Sequence, residues 1–122
     1  MDIDTWLDFM KKNKQENIPM DFSGTILTPN EFAERVKTGQ MDINQAKKSA
    51  SLFAMKELLI NRIKQRYEVG KLNETVILLP EGERKFTPED IINEVNQNTK
   101  LGERFLLEEK GLMDELRELI WR

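Results

Sequence analysis

Acidic side chains crowd the end of this sequence: Glu108, Glu109, Asp114, Glu115 and Glu118 fall within 11 residues. Paired carboxylates act as general acid and base when burial separates their pKa values, and as ligands for hard cations when several converge. Glu108 with Asp114, or Glu115 with Glu118, are the candidate pairs. Their setting argues for a different role. They interleave with Lys110 and Arg117 at the intervals of helix-surface neighbours, so they are expected opposite an apolar stripe, as a solvated face. A carboxylate-bridged metal pair in a bundle also calls for Glu-x-x-His pairs, and none of the 122 residues is His.

There is no Cys either. Disulfides, thiol nucleophiles, imidazole bases, zinc fingers and haem ligation are thereby excluded. The glycines at 24, 39, 70, 82, 102 and 111 are scattered, so no glycine-rich loop cradles a phosphate. No catalytic residue, metal or cofactor is expected, and the chain reads as a non-enzyme.

Basic residues have their own distribution. Between Lys47 and Lys71 seven bases face two acids, whereas between Glu89 and Glu118 nine acids face four bases, within a chain of 19 bases, 22 acids and net charge −3. One reading places Lys47, Lys48, Lys56, Arg62 and Arg66 on a DNA-reading helix at 47–71, with a following hairpin as a wing. The other has the basic and acidic helices face each other, within one chain or across a dimer.

The elements that carry these residues follow from spacing. Ile3, Trp6, Leu7 and Met10 recur at helical intervals. From Asn13 to Leu27 the pattern lapses into a segment read as irregular or weakly stranded, with Ile18, Met20, Phe22 and Ile26 alternating. Thr28-Pro29-Asn30-Glu31 is a capping-box helix start, and Gly39 is placed to end that helix. Asp42-Ile43-Asn44-Gln45 opens another helix, read as continuous to Val69 unless it breaks near Ser49-Ala50-Ser51, with Gly70 as its stop. At about 27 residues and about 40 Å, it would outrun a globule about 35 Å across. Glu74–Leu79 and Arg84–Phe86, joined by Pro80-Glu81-Gly82-Glu83, make a hairpin over about residues 75–86. It must pack on helices or pair with an edge, either the 18–26 segment or a second subunit.

Thr87-Pro88-Glu89-Asp90 repeats the start at Thr28. At an offset of 59, Thr28, Pro29, Glu31, Phe32 and Val36 align with Thr87, Pro88, Asp90, Ile91 and Val95. Shared capping chemistry or an internal duplication both account for the match. Asn98-Thr99 then recaps a final helix striped by Leu101, Phe105, Leu112, Met113, Leu116, Leu119 and Ile120, ending at Trp121.

The sequence therefore specifies one mainly α domain over 1–122, with four to five helices and one small β-hairpin. No apolar run approaches a membrane span. Met1-Asp2-Ile3-Asp4 is acidic where a signal peptide is basic, so a cytoplasmic location is expected. The function expected is that of a small protein–protein assembly or adaptor protein from a bacterial or phage accessory system, working as a homo-oligomer. Trp6, Met10, Leu119 and Trp121 are the candidate partner contacts, and DNA binding is the alternative.

Overall fold

A computed structural model describes residues 1–44, 55–72 and 74–122. Helix α1 (Ile3–Lys12) starts at Asp2, whose carboxylate accepts the Thr5 amide at 2.7 Å, and ends at Lys14, left-handed at φ 57°. Strands β1 (Met20–Phe22) and β2 (Thr25–Leu27) then pair antiparallel around Ser23-Gly24. Both turn residues have positive φ, 58° and 93°, as a two-residue hairpin turn of matching twist requires. Helix α2 (Pro29–Lys37) carries the complete Thr28/Glu31 capping box, and Gly39 closes it at φ 75°. Within the 13–27 segment, residues 13–19 are irregular and 20–27 form a short hairpin, as the weakly stranded reading has it, while Ile26 points to solvent instead of tying it down.

Helix α3 (Lys56–Glu68) follows and stops at Gly70, φ 76°. Upstream, Ile43–Asn44 form a short 3₁₀ turn in which Asp42 accepts the Asn44 amide. Residues 45–54 of the expected 42–69 helix, including Lys47 and Lys48, lie outside the described residues. Strands β3 (Thr75–Leu79) and β4 (Gly82–Phe86) form the expected hairpin. Helix α4 (Pro88–Asn96) repeats the capping box at Thr87/Asp90, and α5 (Lys100–Glu118) is capped by Thr99 and finishes in a 3₁₀ turn at Leu119–Trp121.

The order is therefore helix, hairpin, Thr-Pro helix, twice, with α5 added. The parallel reaches beyond the capping residues. α2 and α4 are each 9 residues long, and each ends in a left-handed residue at the same offset, Gly39 and Asn98. The two hairpins form separate two-stranded sheets, so β3–β4 does not take the 18–26 edge.

One continuous core joins the halves. Trp6 meets Phe22 and Phe32 edge-on at 6.3 and 5.8 Å, and those two rings stack at 4.0 Å. Phe86 and Phe105 make the corresponding contact on the other side at 5.4 Å. Helix α5 runs across both halves. Near its start, Gly102 lies so close to α4 that a Cβ would sit 2.4 Å from the Glu94 carbonyl oxygen. Near its end, the Trp6 indole donates to the Leu116 carbonyl at 2.8 Å. Among the described residues, no helix is long and apolar enough to cross a membrane.

Candidate interaction surface

The expected partner contacts lie mostly inside. Trp6 and Met10 are fully buried in the core, while Leu119 and Trp121 are partly buried and packed against it. Trp6 and Met10 are consequently not surface anchors: each lies on the face of α1 that the aromatic cluster covers.

Of the basic candidates among the described residues, Arg62 and Arg66 turn inward. Arg62 is wholly buried, donates from Nη1 to the Pro19 carbonyl at 2.9 Å, and sets Nε 3.3 Å from a Glu109 oxygen. Arg66 hydrogen-bonds the other Glu109 oxygen. Burial lowers the Arg62 guanidinium to about 10, with Glu109 opposing the shift. Lys56 donates to the Asn98 side chain at 2.8 Å. Of the two arrangements open from sequence, the described residues show the basic helix facing the acidic one within a single chain. Arg62 has no surface to offer a phosphate backbone.

Glu109 is the counterpart surprise. It is buried against α3 rather than solvated with its acidic neighbours. The signal was present, since Phe105 and Met113 lie four residues to either side and place Glu109 inside the apolar stripe. Arg117, four residues beyond Met113, is buried for the same reason. Glu108, Glu115 and Glu118 are exposed as a solvated face is, whereas Asp114 is half-buried. Glu108 pairs with Arg104 at 3.3 Å, and Asp114 takes Lys110 at 2.7 Å and Arg117 at 2.8 Å. A cleft of about 250 Å³ beside Arg66 and Glu109 is floored by Ile63, Ile91 and Phe105. Its charged groups are engaged as ion pairs, Glu109 with Arg66 and Glu108 with Arg104, and Thr75 brings a hydroxyl to its rim. Among the described residues, no group of three or more potential ligands is placed to hold a metal ion.

Among the described residues, the outer side of β3–β4 places two exposed aliphatic side chains side by side. Ile77 and Phe86 face the core, whereas Leu78 is 78% exposed and Val76 53% exposed. Opposite them across the ladder stand Lys85 and Glu83. Arg84, on the other face, lays its guanidinium 4.6 Å from the centre of the Phe86 ring. The main chain of β3 is open as well. Leu79 and Gly82 flank a two-residue turn and form a bonded pair, as do Ile77 with Arg84 and Thr75 with Phe86. The amides and carbonyls of Val76 and Leu78 therefore point away from β4, and no described residue pairs with them.

The equivalent position in the first hairpin is Asp21. Its outward amide meets the Met113 sulfur at 3.4 Å, and its carbonyl accepts from Arg117 Nη1 at 2.8 Å. Helix α5 seals that edge, leaving Asp21 only 2% exposed. Sequence reasoning found the strand at 75–79 but not its exposure, because an apolar run reads as buried until the element that should cover it is located.

No family model matches this chain, and no curated protein and no solved structure matches it either.

Proposed function

We propose that this protein is a small non-enzymatic assembly or adaptor protein of the cytoplasm that works by associating with itself. The observation that carries this reading is the pair of solvent-facing aliphatic residues, Val76 and Leu78, on a strand with an open edge. Monomeric proteins blunt such edges with charge, proline or cover, because an uncharged open edge is a template for pairing. Here β3 has neither charge nor proline between Thr75 and Leu79, and no described residue pairs with its outer edge. The non-enzymatic part of the reading is supported by the fate of the charged groups. Glu109 serves as counter-ion to Arg62 and Arg66, Asp114 as counter-ion to Lys110 and Arg117, and the sequence supplies neither imidazole nor thiol.

Sedimentation velocity on the unmodified chain, from about 5 to about 500 µM, tests the proposal. A sedimentation coefficient that rises with concentration towards a dimer is the expected result. A monomer throughout contradicts it.

A further inference from the structure

We infer that the partner at this edge is a second copy of the same chain, joined through antiparallel pairing of β3 with β3 about a two-fold axis at Ile77. The inference rests on the self-association reading above and adds the surface, the register and the symmetry.

The geometry of the strand specifies the register. Val76 and Leu78 are the residues whose main-chain groups turn outward. Placing Ile77 against Ile77 of the other copy sets Val76 opposite its Leu78, and Leu78 opposite its Val76. Each such pair exchanges an amide and a carbonyl in both directions, so the two pairs make four hydrogen bonds and leave no outward group of either residue unused. Two-fold contacts of this kind are self-complementary by construction.

Charge selects this edge over the other edge of the hairpin. The same operation on β4 would centre on Arg84 and put two guanidinium-bearing residues directly opposite each other. On β3 the central residue is Ile77, and no residue from Thr75 to Leu79 is charged. The joined four-stranded sheet is also complementary across its outer face. One row runs from Glu83 and Leu78 of the first copy to Val76 and Lys85 of the second, and the next row runs in reverse. Each row has an acid at one end, a base at the other and aliphatic residues between, so no like charges stand opposed. A single strand pair buries little surface, which places the dimer among weak, concentration-dependent contacts with a dissociation constant on the order of 10–100 µM.

Two variants test the register without burdening the fold. Val76→Glu puts a carboxylate opposite Lys85 of its own hairpin, and Leu78→Lys puts an ammonium opposite Glu83, so both are compatible with the monomer. In the proposed dimer each variant sets a charge against an aliphatic residue at both symmetry-related pairs. Self-association of either variant alone is expected to weaken by about tenfold or more relative to the unmodified chain. In an equimolar mixture, the new carboxylate of one chain faces the new ammonium of the other, while the remaining pair is still Leu78 with Val76. The mixture is therefore expected to recover a 1:1 dimer, weakened by added salt. If the unmodified chain associates but either variant alone does so as tightly, or the mixture shows no recovery, the β3 pairing is wrong and self-association through another surface stands. A monomeric unmodified chain at every concentration removes both the pairing and the self-association.

Discussion

The two hairpins are built alike and finished differently. Each follows a helix and leads into a Thr-Pro capped helix of 9 residues. Each turns one residue set inward, Phe22 and Leu27 in the first, Ile77 and Phe86 in the second. The first is short, three residues a strand, and its outer edge is closed by Met113 and Arg117 of α5. The second is longer, five residues a strand, and meets nothing at its outer edge among the described residues. A lone fifth helix cannot seal two edges. The β2 edge of the first hairpin offers one outward residue, Ile26, whereas β3 keeps two, Val76 and Leu78, with their main-chain hydrogen-bonding capacity and aliphatic surface in one place.

Removing the seal should produce the largest effect. Arg117→Ala removes a buried side chain with its hydrogen bonds to the Asp21 carbonyl and to Asp114, which keeps Lys110, and a loss of about 2–4 kcal/mol is expected in urea unfolding. A loss under about 1 kcal/mol would show that α5 does not hold the first hairpin as described. Displacing the other end of α5 comes next. Gly102→Ala drives a methyl group into the Glu94 carbonyl, where backbone rather than a mobile side chain must give way, so about 1–3 kcal/mol should be lost.

A matched pair then probes how alike the halves are. Thr28→Ala and Thr87→Ala each remove one capping box, and each should cost about 1 kcal/mol. Unequal losses would mean that the shared capping chemistry hides unequal support from the core. The same caps set the acid response. Main-chain amides at Thr28 and Thr87 hold Glu31 and Asp90 below the ordinary carboxylate value, and the Thr5 amide does so for Asp2. A carboxylate lowered in the folded state binds its proton less readily there than in the unfolded chain. Its contribution is complete above the unfolded pKa and disappears as pH falls through the folded one. Thermal melts should therefore show stability declining as pH drops below about 4, with less decline in Glu31→Gln. The smallest effect on stability belongs to the open edge. Leu78→Lys should change unfolding free energy by under about 0.5 kcal/mol while weakening association, a separation no core position would give.

Local chemistry was legible in the sequence and long-range cover was not. Thr28 and Thr87 announce helix starts, and Gly39 and Gly70 announce stops, because a cap or a left-handed residue acts on its immediate neighbours. Thr75–Leu79 is aliphatic and β-branched enough to declare itself a strand. Met20-Asp21-Phe22 is too short, with an acid at its centre, and it forms because Arg117 and Met113 engage Asp21 from 92 and more residues away. Arg62 and Arg66 read as a basic face until α3 is seen to lie against α5, where Glu109 answers them. Val76 and Leu78 carry the same limit in reverse. Their aliphatic character was evident, and the lack of cover depends on where α5 lies.

Amide hydrogen exchange at Val76, Leu78 and Asp21, followed as the protein is concentrated, addresses the difference between the hairpins most directly. Asp21 should be protected at every concentration, whereas Val76 and Leu78 should exchange freely when dilute and become protected together as the chain associates. Exchange at Val76 and Leu78 that stays fast when concentrated, or is already slow when dilute, would contradict an edge held open for a second copy.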